Sequence, residues 1–289
     1  MRRRLSGPGL GISIGGFDVA VRSTLPPVLR GLAQLYADYP LSRPDDLVDF
    51  RIELAAPGAL RRWFRPQVSF AFDGKHPFKP LPLAQSFAMF EWGLNWVVAN
   101  HAHEYVIIHA ATVEKDGRGY VFPGTPGSGK STLCAALVCR GWRLLSDEMA
   151  LLSLRDGLLW PVPRPISLKN RSIEIIRGIG GDGLVMGDVV RDTAKGTVAH
   201  MRAPRSSVAL AKTPVPPFAV VFPTYREGSA TAYAELPKAS TVMRLAENCF
   251  NYATLGAAGF NCIADAVTRM RCHTLVYSDL DDVIGRLEH

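Results

Sequence analysis

The sequence is poor in the features that would commit a chain to a membrane, an oxidising compartment or a repeat architecture. Its longest apolar stretch, Phe87 to His109, is interrupted by Glu91, Asn95, Asn100, His101, His103 and Glu104. A bilayer-spanning helix needs ~20 predominantly apolar residues, so no such span is expected. The opening Met1-Arg2-Arg3-Arg4 has the charge of a secretion signal, but Ser6 to Asp18 holds five Gly, one Pro and one Asp where an apolar segment belongs. Cysteine is scarce, five in 289 residues, and none form a Cys-x-x-Cys pair. A disulfide framework and a structural zinc site are therefore excluded as expectations, and a reducing cytoplasm is the expected location. Internal repeats and low-complexity tracts are absent.

Charge of one sign is not concentrated either. The excess of Lys and Arg over Asp and Glu, 33 against 26, gives a net charge of +7. Residues 1–103 carry 12 of those cations and 8 of the acids, so the excess is thinly spread. That favours small anionic ligands over a dedicated nucleic-acid surface. Arg61, Arg62, Trp63, Phe64 and Arg65 interleave charge with aromatics, but an amphipathic strand end is the simpler reading, and no nucleic-acid or membrane partner is expected.

What is present is a globular composition, 47% hydrophobic and 20% charged, long enough for one large or two joined domains. Period-two patterns predict strands at Ile12–Val21, Val48–Leu54 and Val68–Phe72, with a helix over Pro27–Tyr36 between them. The proline-rich stretch Pro77 to Pro82 marks a boundary, dividing an N-terminal α+β region (1–82) from a catalytic region (83–289). A mostly apolar helix is predicted over Leu83–Ala99. Beyond it, Val106–Val113 reads as a strand and Tyr120–Phe122 as a second, entering a glycine-rich loop. A helix Ser131–Arg140 and a strand Arg143–Leu145 follow, the order of a βαβ unit. Residues 177–196 contain six glycines and little apolar periodicity and read as a mobile loop. The tail reads as a strand (Phe218–Phe222), helices over Ser240–Phe250 and Phe260–Met270, a strand (Thr274–Tyr277) and a helix begun by Asp279.

The glycine-rich loop carries the chemistry. Gly124-Thr125-Pro126-Gly127-Ser128-Gly129-Lys130-Ser131, followed by Thr132, satisfies the G-x-x-x-x-G-K-[ST] phosphate-loop pattern in full. Glycines let successive backbone N–H groups turn toward a phosphate, the following helix adds its positive end, Lys130 reaches the β/γ-phosphates and the Ser131 hydroxyl suits Mg²⁺. The pair Asp147-Glu148 ends the next strand, where α/β sheets present ligand-binding groups. Mg·ATP needs a carboxylate near the metal and a hydroxyl nucleophile needs a base, so the pair is expected to face the phosphates. Arg177, Arg191 and Lys195 lie in or beside the glycine-rich segment, where one could close on a transferred phosphate.

His109, fifteen residues before Gly124, then GTPGSGKS, then Arg140-Gly141-Trp142-Arg143-Leu144-Leu145-Ser146-Asp147-Glu148 resembles the catalytic core of the HPr serine kinase/phosphorylase family. The resemblance covers about residues 105–180. It implies an α/β fold with the P-loop kinase core of that family's C-terminal domain, related to phosphoenolpyruvate carboxykinases, beside a smaller N-terminal α+β layer. By the same resemblance Asp147 is the base that accepts the substrate hydroxyl proton, Glu148 lies near the metal and His109 lies beside the carboxylates. Glu174 matches a further acidic residue near the metal with its spacing one residue off, and is equally read as an ordinary helix-surface Glu. Pro126, Thr132 and Glu148 depart from the family pattern; they spare phosphate binding and weigh against a reverse, phosphorolytic reaction.

The expected function is an ATP- and Mg²⁺-dependent kinase acting on a hydroxyl, of the serine type, on a small protein, a peptide or a small molecule. HPr itself is not the expected acceptor, because no segment matches those that hold it and the first ~80 residues differ from the family's regulatory domain. Homo-oligomerisation is carried only by the resemblance. The rival readings are a P-loop NTPase or nucleotide switch without acceptor, and a non-catalytic nucleotide-binding scaffold.

Overall fold

The computed structural model describes Leu5 and residues 9–42, 47–58 and 64–288. Arg61, Arg62 and Trp63 of the basic-aromatic stretch lie outside the described residues, while Phe64 and Arg65 are exposed.

The N-terminal layer begins with a hairpin, β1 (Leu10–Ile14) and β2 (Phe17–Ser23), where the sequence suggests one continuous strand. Gly15, at a φ of 66°, turns the chain between the two. Helix α1 (Pro26–Leu35) follows, then β3 (Leu41–Ser42), β4 (Phe50–Ala55), β5 (Gln67–Phe72) and β6 (Leu81–Pro82). These strands form a six-stranded sheet in the order β3-β1-β2-β4-β5-β6, in which β2 and β4 run parallel across the α1 connection. Helix α2 (Ser86–His101) comes next. Its apolar residues are not confined to one stripe, because it is covered on several sides: Gly93 admits the Phe70 ring of β5, and Phe87 fills the space left by Gly31 on α1. The helix after the proline-rich stretch thus packs on the N-terminal sheet.

The predicted strand Val106–Val113 is two strands in different sheets. Strand β7 (Tyr105–Ile108) pairs with β11 (Ala150–Ser153), itself flanked by β12 (Leu159–Trp160), and β8 (Ala110–Lys115) joins the second six-stranded sheet. The break falls on His109. The second sheet has the order β10-β8-β9-β16-β18-β17, with β9 (Arg118–Pro123), β10 (Arg143–Ser146), β16 (Pro217–Tyr225), β17 (Ala232–Glu235) and β18 (Arg271–Tyr277). Strands β9, β16 and β18 are parallel. Both β9 and β10 are antiparallel to β8, so the expected strand-helix-strand crossover exists with β8 between its two strands.

Helix α3 (Lys130–Cys139), which follows the glycine-rich loop, is buried along nearly its whole length. The chain is therefore a mixed α/β fold with several mixed sheets. A smaller sheet, β13 (Ile166–Lys169), β15 (Gly196–Met201) and β14 (Val190–Thr193), lies beside α3, and α4 (Arg171–Gly180) packs on it. One continuous core joins Ile12, Leu32, Phe70 and Phe90 of the N-terminal layer to Phe122, Leu137, Leu168 and Tyr277.

Residues 177–196 are not the structureless loop their glycines suggest. They comprise the end of α4, a single 3-10 turn at Gly181–Gly183 and the edge strand β14. The Gly187 amide donates to the His200 carbonyl at 2.9 Å, the Arg202 amide to Val185 at 2.9 Å, and Gln34 of α1 to the Met186 carbonyl at 2.8 Å. Gly187 is needed for close approach, since a Cβ there would meet Leu35. At Gly187 glycine marks packing, whereas Gly178, Gly181 and Gly183 have open space where a Cβ would stand.

The C-terminal part adds the short α5 (Arg205–Ala209), α6 (Lys238–Glu247), α7 (Tyr252–Arg269), kinked at Gly256, and α8 (Leu280–Glu288). Asp279 caps α8, its Oδ1 accepting from the Asp281 and Asp282 amides at 2.8 and 3.1 Å. Among the described residues no helix is long and apolar enough to cross a membrane, and all five cysteines are free.

Candidate functional site

The loop 124–131 joins the end of β9 to the start of α3, and its shape depends on three glycines at positive φ: Gly124 (155°), Gly127 (89°) and Gly129 (92°). Side-chain-bearing residues rarely adopt these values. Thr125, Pro126 and Gly127 are exposed, whereas Lys130 is only 7% exposed. The Lys130 Nζ donates to the Gly124 carbonyl and, at 3.1 Å, to that of Thr125, folding the side chain back over the loop. Burial lowers the Lys130 pKa, against the opposing pull of Glu148 and Asp147. The loop is clamped from the sheet: the Tyr225 amide donates to the Ser128 carbonyl at 3.0 Å, and the Tyr277 hydroxyl to the Gly129 carbonyl at 3.1 Å.

Strand β10 delivers the acidic pair to this loop. Asp147 is 5% exposed; its Oδ2 accepts from the Ser167 amide at 3.0 Å, and its Oδ1 is buried without a partner. Burial, reinforced by the Glu148 charge, raises its pKa to about 7, and the hydrogen bond from the Ser167 amide and the nearby Ser131 hydroxyl hold it from going higher. Ser131 and Asp147 are thereby brought together. Glu148 goes the other way. Burial alone would raise its pKa, but the charges of Lys195, Lys169, His109 and Arg164 outweigh burial and lower it. Neighbouring carboxyls of opposite tendency, one held near neutrality and one held ionised, are the arrangement that acid-base chemistry uses.

His109, at the switch between two sheets, places its Nε2 3.8 Å from Glu148 Oε2. Its pKa is lowered by burial and by Lys130, with Glu148 opposing. The exposed ring of Phe250 lies over it at 5.3 Å. Lys195 stands at the solvent rim of the same site, its Nζ 5.1 Å from the Trp92 ring centroid. The other two cations singled out in sequence are elsewhere: Arg177 pairs with Glu174 at 2.8 Å on α4, and Arg191 is exposed on β14. Glu174 is thus 73% exposed in an i,i+3 surface pair, the ordinary alternative of its two readings. Among the described residues no three His, Cys, Asp or Glu side chains gather to hold a metal. The pair Ser131 and Glu148, with the unpartnered Asp147 oxygen, still offers the hard oxygen donors that Mg²⁺ accepts when phosphate and water complete its shell.

Sequence reasoning missed the buried pair that joins α2 to the segment leading into β13. Arg164 Nη1 contacts Glu91 Oε2 at 3.4 Å, both less than a tenth exposed, and Glu91 Oε1 accepts from the Tyr36 hydroxyl at 2.7 Å. The Tyr39 hydroxyl donates to the Pro163 carbonyl at 2.6 Å. Burial raises the Glu91 pKa to about 6, with Arg164 and Tyr36 opposing. Through this chain α1 and α2 of the N-terminal layer support the strand that carries Ser167 and Lys169. Ser167 pairs in register with His200, and the Ser167 hydroxyl and His200 Nε2 are buried without partners. The one sequence signal was the odd placement of Arg164 between Pro163 and Pro165, after Pro161.

Fold and site together define a mixed α/β protein in which a glycine-rich strand-to-helix loop stands beside a carboxyl pair, Asp147 buried and Glu148 partly buried. No protein-family model matches the chain. Over 88 residues it is 33% identical to the HPr kinase/phosphorylase of Streptococcus thermophilus, with the same figures for the proteins of three strains. The match takes in 30% of this chain and spans 28% of the length of these curated relatives, a distant relationship at most.

Proposed function

We propose that this protein is an ATP-dependent kinase that transfers the γ-phosphoryl group to a hydroxyl, of the serine type, on a small protein, a peptide or a small molecule other than HPr. The observation that carries the reading is the Asp147 carboxyl, its Oδ2 fixed by the Ser167 amide, its Oδ1 unpartnered and its pKa raised to about 7 beside the loop that ends in Lys130 and Ser131. A general base works best with a pKa near the working pH.

In this reading the loop and Lys130 hold the β/γ-phosphates, Lys130 exchanging its carbonyl contacts for charge-assisted ones. Asp147 orients the acceptor hydroxyl and takes its proton. Ser131 and Glu148 would hold Mg²⁺, which supplies charge neutralisation on the phosphates. The cations Lys195 and Lys169 keep Glu148 ionised. The partial likeness to an HPr kinase/phosphorylase supports phosphotransfer over a bare nucleotide switch. A nucleotide-using enzyme with five free cysteines fits a reducing cytoplasm.

The deciding experiment incubates the protein with γ-labelled ATP and Mg²⁺ in lysate of its source, with Asp147→Asn as control. Label in an acceptor that depends on Asp147 supports the kinase. ATP hydrolysis without any labelled acceptor would instead mark an NTPase.

A further inference from the structure

A cavity of about 540 Å³ opens where the parallel strands β9, β16 and β18 begin, the end of the sheet opposite the glycine-rich loop. Each strand sends its first residues into it: Arg118 from β9, Phe218 from β16, Arg271 and His273 from β18. The Arg118 and Arg271 guanidinium groups lie 4.9 and 5.1 Å from the centroid of the one Phe218 ring. Among the described residues neither forms an ion pair, although the chain has several. Beside that ring, Arg118 also reaches the Tyr120 hydroxyl. The other cations of the wall are engaged: Lys238 donates to the Met270 carbonyl and Arg286 pairs with Asp282 at 3.2 Å. Of the two acids there, Glu288 accepts from the Trp142 indole at 3.3 Å, and Glu235 is exposed on the edge strand β17.

Beside the arginines, on the adjacent strands β18 and β17 of the same sheet, the lining is aromatic. Tyr233 stacks on His273 at 4.2 Å and 23°, and is 40% exposed. The His273 Nδ1 is buried without a partner. Two uncompensated guanidinium groups on one ring suit a group with several anionic oxygens, which they can grip in parallel pairs of hydrogen bonds. A half-exposed stacked ring suits a planar partner. The cavity volume falls within the ordinary range for small-molecule sites.

We propose that this cavity binds a small phosphomonoester bearing a planar aromatic ring, with the phosphoryl group held by Arg118 and Arg271 and the ring laid on Tyr233. The site is separate from the loop 124–131 and does not depend on the kinase reading.

The test titrates AMP, ribose 5-phosphate and adenosine by calorimetry into the Lys130→Ala protein, in which the glycine-rich loop is disabled. AMP is expected to bind one to one, more tightly than either fragment. Arg118→Ser with Arg271→Ser should weaken AMP at least about tenfold, and Tyr233→Ala should weaken AMP while sparing ribose 5-phosphate. No AMP binding, or binding indifferent to both arginines, overturns the proposal. Equal affinity for AMP and ribose 5-phosphate overturns the role of Tyr233. Hydrogen exchange on the wild-type chain decides the matter if Lys130→Ala does not fold. Protection by AMP at residues 232–236 and 271–273 supports the site, and protection confined to residues 124–131 overturns it.

Discussion

The Ser167 backbone amide donates to Asp147 Oδ2 at 3.0 Å and so fixes the carboxyl with its other oxygen buried and unpartnered. Asp147→Asn keeps that geometry and removes the carboxylate proposed as the base. Transfer is expected to fall at least about 10²-fold, since general-base contributions run ~10²–10⁴, while nucleotide affinity by calorimetry changes little. Normal transfer by Asp147→Asn together with loss in Glu148→Gln would exchange the two roles.

The same substitution has a stability signature in metal-free, nucleotide-free protein. Burial raises the Asp147 pKa in the folded chain to about 7, above the ordinary carboxylate value of 3.8, so the fold prefers the protonated carboxyl. Its contribution is fully present below the unfolded pKa and is lost as pH rises toward 7. Asn carries no charge at any pH. Asp147→Asn is therefore expected to melt higher than wild type at pH 8, with the gap closing toward pH 5, as followed by circular dichroism.

Lys130 is the one loop cation, and burial already lowers its pKa. Lys130→Ala should abolish both tight Mg·ATP binding and transfer. Unchanged nucleotide affinity in a folded variant would sink the assignment of the loop.

Gly129 stands at a φ of 92°, and a Cβ there would run into the Tyr277 hydroxyl that holds the Gly129 carbonyl. Strain of this kind costs about 1–3 kcal/mol. Gly129→Ala should weaken nucleotide binding at least about tenfold, and Gly129→Ala with Tyr277→Phe should recover only the part due to the collision.

Arg164→Met leaves Glu91 buried with only the Tyr36 hydroxyl as partner. Removing one partner of a buried pair costs about 3–5 kcal/mol. Denaturant unfolding should show a loss of that order, and Arg164→Met with Glu91→Leu should recover much of it.

The packing of residues 177–196 also reverses what their composition suggests. The Gly187 and Arg202 amides, bonded to His200 and Val185, should be protected from hydrogen exchange in the nucleotide-free protein. Rapid exchange at both would restore the segment as a mobile loop.

Much was legible in one dimension because its causes are local. The glycines of the loop 124–131, the helix after it and the cap at Asp279 are dictated by backbone sterics and short-range hydrogen bonds, and they stand where the sequence puts them. Helix α1 and strands β4, β5 and β10 were likewise readable from period and turn residues. Asp147 was legible from its place at a strand end and His109 from the family likeness, whereas the 3.8 Å approach of His109 to Glu148 exists only in the folded chain.

Other features were decided by partners far along the chain. Val106–Val113 is one apolar run whose halves enter different sheets, since their partners, β11 and β9, lie in separate layers. The glycine-rich stretch around Gly187 is ordered because α1 and β15 take up its backbone hydrogen bonds. The split between Asp147 and Glu148, adjacent and alike in sequence, is electrostatic. Lys195, Lys169, His109 and Arg164 converge on Glu148, whereas burial governs Asp147. Local chemistry along the chain determined which groups could react; desolvation and long-range charge, which exist only once the layers have packed, decided which of the two carboxyls holds a proton near pH 7.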